Sequence, residues 1–169
     1  QYNIKVITMS LGDSPAQYTP TTCPTILNIL ISQALQAGIT VIASAGNDGA
    51  LSGIAYPACA PGVLPVGSSY DANVGPQQWI PCADATTLAD RLICFSNRQP
   101  DILFAPGASI ISTVSQSYTC GSSLPFGYCE AAGTSFAAPH VAGAAALLLQ
   151  QHPSLQPAQV ALFLKQYGT

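Results

Sequence analysis

Apolar positions change their period several times along this chain, and each change marks an element. Ile4-Lys5-Val6-Ile7-Thr8-Met9-Ser10 carries the β-branched content of a strand. Gly12-Asp13, with Pro15 and Pro20, makes the following segment a loop. From Thr25 to Ala37 the apolar residues Ile26, Leu27, Leu30, Ile31, Ala34 and Leu35 recur at three- and four-residue spacing, which predicts a helix that Gly38 stops. Ile39 to Ala43 reads as a buried strand, so strand, helix and strand together predict a right-handed βαβ unit with parallel pairing. Gly62 to Gly67 continues the strand pattern, although Pro65 argues against a central place in the sheet. Short strands are predicted at Ile102–Ala105 and Ser109–Thr113, around the turn Pro106-Gly107. Ala137 to Gln150 is apolar on every side, the pattern of a helix buried all round. His152-Pro153 closes that helix, and Gln156-Pro157 opens a last amphipathic one carrying Val160, Leu162, Phe163 and Leu164. Strands alternating with helices place the chain in the α/β class, as one unit over residues 1–169 without internal repeat.

Composition sharpens this picture in two ways. With 49% hydrophobic and 7% charged residues in 169, most of the chain is interior. Its apolar runs are nevertheless broken by Pro, His, Ser, Gln or Asn before the length of a membrane span, so no transmembrane segment is expected. Four basic residues and a net charge of −3 leave no patch for nucleic acid or acidic lipid. Six cysteines with only two histidines, and no Cys-x-x-Cys, argue for disulfides rather than a zinc site, hence for an oxidising compartment and secretion. Proximity along the chain favours Cys82 with Cys94 and Cys120 with Cys129, which leaves Cys23 for Cys59; buried free thiols are the competing reading.

Candidate chemistry gathers in Gly133-Thr134-Ser135-Phe136-Ala137-Ala138-Pro139-His140-Val141-Ala142-Gly143. Small residues surround Ser135 at the mouth of an apolar helix, where unpaired N–H groups and the helix dipole favour a developing oxyanion. The competing role for Ser135 is a plain N-cap. A Gly-x-Ser-x-Gly elbow is absent, because Ala137 stands at its second glycine.

These words resemble the active-serine segment of the subtilisin-like serine proteases, the subtilases, and further matches follow in family order. Ser10-Leu11-Gly12 is similar to the extended edge that pairs with substrate backbone, Ser44-Ala45-Gly46-Asn47 to the segment ending in the oxyanion-hole asparagine, and Tyr56-Pro57 to the pair beside the specificity pocket. Ala105-Pro106-Gly107 and Leu149-Gln150-Gln151-His152-Pro153 match as well. The resemblance implies a three-layer fold with a mainly parallel sheet between helices. It also implies a secreted serine endopeptidase acting on peptide or protein substrates: Ser135 attacks, and the Asn47 amide joins the Ser135 N–H in holding the oxyanion. Read locally, Asn47-Asp48-Gly49 is also a simple turn. Asn rather than Asp at 47 separates the chain from the related sedolisins. Phe136 replaces the methionine that usually follows the nucleophile.

A serine nucleophile needs a base, and the two histidines suit the task poorly. His140 lies five residues past Ser135 on the same helix, where about 100° per residue turns it off the serine face, so a hydrogen-bonded core or supporting role is expected. His152 lies past the helix end, as a cap or surface residue. Asp13, Asp48 and Asp71 have no usable histidine to orient. The triad order Asp, His, Ser then implies that both partners precede Gln1 and that residues 1–169 are the C-terminal portion of a peptidase domain, nearly inert without the N-terminal part. No organic cofactor is implied; a structural calcium site elsewhere stays open, although no Asp/Glu cluster in this sequence supports one. The rival reading is a catalytically silent, peptide-binding or regulatory relative.

Overall fold

The computed structural model describes residues 3–13, 18–115, 125 and 127–168. Its centre is a four-stranded sheet in the order β1 (Val6–Met9), β2 (Thr40–Ser44), β3 (Leu64–Ser69) and β6 (Leu103–Pro106), parallel throughout. Period-two alternation along β2 explains the layering. Val41 and Ala43 pack on the face covered by α1 (Asn28–Gln36), together with Ile31 and Val63. Ile42 turns the other way, with Leu64, Val66 and Ala105, against α2 (Thr134–Gln151) and α3 (Pro157–Tyr167). Helix, sheet and helices form the three-layer α/β arrangement expected. Two small antiparallel hairpins flank it: β4 (Gln77–Gln78) with β5 (Ala83–Asp84), and β7 (Ile110–Thr113) with β8 (Tyr128–Ala131).

Three expectations are corrected. Pro65 occupies a central strand, buried and paired in register with Ala43. Only one ladder N–H is lost there, and β2 still bonds to β3 through Ala45 N and Val66 O at 2.9 Å. Burial on both faces outweighs that single missing bond. Helix α2 is not buried all round: Ala137, Ala138, Val141, Ala145 and Leu149 form one buried stripe, whereas Leu147 is 66% exposed on the opposite side with Gly143, Ala144 and Ala146. The apolar residues of α3 also divide, Val160 facing the core while Leu162 and Phe163 are exposed.

Disulfides join Cys23 to Cys59 and Cys82 to Cys94, and none of the described cysteines is a free thiol. Cys120 lies outside the described residues, so the expected bridge to Cys129 does too.

Candidate active site

Residues from three loops meet at the N-terminus of α2. Gly133, the helix N-cap, has φ +146°, a backbone conformation natural only to glycine. Its N–H donates to Gly107 O at 2.8 Å, anchoring the turn into the helix. Ser135 is therefore the second helical residue rather than the N-cap, a place held by Gly133, which has no side chain to cap with. Its own N–H lies in the first turn, where no intrahelical acceptor exists.

Asn47 is oriented by donors whose identity leaves no ambiguity. Thr134 N donates to Asn47 Oδ1 at 2.9 Å and Thr134 Oγ1 donates to the same atom at 3.0 Å. Because a backbone N–H can only donate, the atom facing it must be the amide oxygen. The Nδ2 group is thereby turned elsewhere. A methyl group built on Gly133 would sit 3.4 Å from Asn47 Nδ2, 3.7 Å from Asn47 Oδ1 and 3.8 Å from Ser135 N. The space that glycine leaves is thus bordered by the Asn47 amide, whose oxygen is taken by Thr134, and by the Ser135 nitrogen.

The loop carrying Asn47 is held from behind by Asn97, which is fully buried. Asn97 Oδ1 accepts from Asp48 N and Ala50 N at 3.0 Å each, and its Nδ2 donates to Ala45 O at 3.1 Å and Asp48 Oδ2 at 3.0 Å. Gly46, at φ +100°, passes so close that a Cβ there would lie 2.4 Å from Asn97 Nδ2. The local sequence around Asn47 carries no sign of this partner fifty residues downstream. Thr134 is likewise more than a neighbour of the serine, since its hydroxyl also accepts from Gly46 N at 3.1 Å.

Pro139 inside α2 lacks the N–H that would have bonded to Ser135 O. Ser10 Oγ donates to that carbonyl at 2.6 Å instead, and Ser135 Oγ lies 3.5 Å from Ser10 O. A cleft of about 300 Å³ opens beside these groups, lined in part by Ser10, Leu11, Gly12, Ser44, Gly46 and Asn47 with Ser135. Leu11 is 57% exposed at its edge. Ser44 Oγ donates to Met9 O and Leu11 O at 3.4 Å, tying the two walls together. Asp13 and Asp48 also line the cleft. Asp13 Oδ1 accepts from Tyr56 N at 2.8 Å, and the hydrogen bond from Tyr18 to Asp13 raises the Tyr18 pKa.

Other residues singled out from the sequence stand back from this cleft. Ala45 is fully buried, its N–H bonded to Val66 O and its carbonyl to Ala55 N. Pro57 is fully buried, and the Tyr56 hydroxyl accepts from Leu27 N at 2.5 Å, at the start of α1. His140 is exposed, which removes the core position from the two roles expected for it, and its Nδ1 donates to Phe136 O at 2.7 Å. A carbonyl only accepts, so this nitrogen carries a proton and is tied to its own helix. His152 caps the far end of α2 near Phe163. Neither imidazole reaches Ser135.

The chain as a whole has relatives among known proteins. The family model described as Subtilase family matches residues 1–167. The chain belongs to the subtilase family. Among curated subtilases, the extracellular serine proteinase of Thermus sp. (strain Rt41A) is 36% identical over 97% of this chain and 32% of its own length. The subtilisin of Bacillus pumilus is 37% identical over 94% of this chain and 47% of its own. A crystal structure of a cold adapted subtilisin-like serine proteinase superposes with a TM-score of 0.66 at 31% identity, covering 95% of this chain and 47% of that one. The chain thus spans about a third to a half of the subtilases it matches. Among the described residues no helix is long and apolar enough to cross a membrane.

Proposed function

We propose that this chain forms the serine and oxyanion-hole portion of a secreted serine endopeptidase. Ser135 Oγ attacks the peptide carbonyl, and the resulting oxyanion is held between Asn47 Nδ2 and Ser135 N–H. One observation carries the reading: both donors flank the space above Gly133, with Asn47 fixed by Thr134. Substrate backbone lies along Ser10-Leu11-Gly12 on one wall and Ser44 and Gly46 on the other, by strand addition. Ala45 supports that wall from within, and Tyr56-Pro57 secures the loop behind Gly12 through the Asp13 N to Tyr56 O bond.

The general base is a histidine, oriented by an aspartate, from a segment preceding residue 1. His140 is tied to its own helix and His152 stands at the opposite end of α2 from Ser135, which supports this assignment. Two disulfides and the extracellular proteinase among the relatives favour export through an oxidising compartment. No cofactor enters the proposal.

The test is Ser135→Ala in protein that includes the preceding segment. It should abolish peptide hydrolysis and labelling by a fluorophosphonate while leaving the thermal unfolding profile unchanged, because only one oxygen is removed. Labelling at another serine would overturn the assignment. Peptide binding without labelling of the wild type would favour the silent, peptide-holding rival.

A further inference from the structure

Asn97 is fully buried and does not line the cleft, yet it bonds each of the three consecutive peptide groups around Asn47. Its Nδ2 donates to Ala45 O at 3.1 Å, holding the peptide between Ala45 and Gly46. Its backbone N–H donates to Gly46 O at 3.0 Å, holding the peptide between Gly46 and Asn47. Its Oδ1 accepts from Asp48 N at 3.0 Å, holding the peptide between Asn47 and Asp48. We propose that Asn97 is a positioning residue for the oxyanion donor: by fixing the peptide planes on both sides of Asn47, it sets the direction of that side chain and the place of its Nδ2. The inference rests on the reading of Ser135 as nucleophile and Asn47 as oxyanion donor.

A peptide group is planar, so the chain passes through Asn47 with only two soft torsions, φ and ψ. The plane before Asn47 and the plane after it are both tied to Asn97, so neither torsion turns without breaking one of these bonds. The direction of the Cα–Cβ bond follows. At the other end of the side chain, Thr134 takes Asn47 Oδ1, so backbone and amide are held by two different segments. Gly46, at φ +100°, lets the chain pass directly over the Asn97 amide, since a Cβ there would lie 2.4 Å from Asn97 Nδ2. Two further backbone bonds, Gly49 N to Phe95 O and Arg98 N to Ala50 O, each at 2.8 Å, join the same segments but leave the peptides flanking Asn47 untouched. Replacing the Asn97 side chain keeps its backbone bond to Gly46 O and releases the plane after Asn47. The freed Asp48 and Ala50 N–H groups, buried without an acceptor, would turn toward other partners. An oxyanion donor acts by being in place before charge develops, and a displacement of about 1 Å can cost about 10²-fold in rate.

The test measures Asn97→Ala, alone and combined with Asn47→Ala, in protein that includes the preceding segment. Turnover is counted per site titrated by a fluorophosphonate, at temperatures well below unfolding, so that a loss of stability does not pass for a loss of rate. Asn97→Ala should lower kcat by about tenfold to a hundredfold with KM little changed. In the Asn47→Ala protein the same change should lower kcat no further, because the donor it displaces is already gone. Asn97→Ser, which keeps a hydroxyl in the site, carries the same comparison if the alanine variant does not fold.

A second readout does not depend on turnover. A peptide boronate, whose tetrahedral adduct with Ser135 puts an oxygen at the oxyanion position, should bind Asn97→Ala protein more weakly by a similar factor. An uncleaved peptide should bind Ser135→Ala protein equally well with and without Asn97→Ala. Lower stability with kcat unchanged, a fall confined to kcat/KM through KM, or a kcat loss that persists in the Asn47→Ala protein would each overturn this inference and leave the peptidase reading standing. Hydrolysis that survives Ser135→Ala would overturn the peptidase reading and this inference with it. Should hydrolysis be undetectable, the boronate titration decides: equal affinity in the two proteins, or none in either, refutes the positioning role.

Discussion

Two asparagines, Asn47 and Asn97, use their side-chain amides differently, and only Asn47 is proposed to serve chemistry. Asn47 spends its oxygen on Thr134 and keeps its Nδ2 toward the space over Gly133, whereas Asn97 spends both ends of its amide inside the protein. Their alanine variants should therefore fail differently. Asn47→Ala removes a donor that matters most where charge develops, so kcat should fall by about 10²- to 10³-fold with KM little changed. A rise in KM at constant kcat would refute the oxyanion role. Asn97→Ala leaves the Asp48 and Ala50 N–H groups facing a void. It should lower unfolding free energy by at least about 2 kcal/mol, measured by urea denaturation, through unsatisfied buried donors. Asn47 could be singled out as a candidate from the sequence because its neighbours Ser44-Ala45-Gly46 resemble a subtilase segment. Asn97 sits in an irregular stretch, and its importance arises from contacts across fifty residues that no local pattern encodes.

At the scale of elements, legibility followed periodicity. The strands around Val6, Val41 and Phe104 and the helix at Ile31 were readable because alternation and three- to four-residue spacing reflect which face is buried. Pro65 misled because a residue rule about donors was outweighed by burial of the whole strand. The loop from Tyr70 to Cys94 carries no repeating apolar pattern, and its order comes from polar bonds and a disulfide. That loop makes a pH prediction. Burial, chiefly, pushes the Tyr70 hydroxyl up to about 12, with the Asp84 carboxylate acting in the same direction and the Trp79 hydrogen bond opposing. In the unfolded chain the group ionises near 10. Its contribution to stability is thus fully present below about pH 10 and is lost progressively as pH rises toward about 12. Thermal unfolding followed between pH 9 and 12 should show a decline in Tm that is shallower in Tyr70→Phe. Equal slopes in the two proteins would show that Tyr70 is not the group responsible.

The whole molecule is organised around a sheet with one well-covered side and one helix clothed on a single face. Strand β1 forms an edge of the sheet, and α2, packed against it, turns Leu147, Ala144 and Ala146 outward. Helix α2 has a mean composition fit for burial all round, which was the expectation from its sequence, yet only one stripe is covered. An open strand edge beside an uncovered apolar helix face favours association or loosening in water. Residues 1–169 expressed alone should therefore self-associate or bind a hydrophobic dye, and should not hydrolyse casein, because Ser135 without a base is a weak nucleophile at neutral pH. Joining the preceding segment covalently, or supplying it in trans, should suppress the dye signal by covering α2 and pairing β1. Hydrolysis should return only when that segment carries both its histidine and its aspartate. Sedimentation velocity and dye titration of the isolated chain decide the first part. A monodisperse, dye-silent monomer would show that the face is stable as it stands. Casein cleavage by that monomer, abolished by Ser135→Ala, would require a base within residues 1–169 and would refute the division of the triad between two segments.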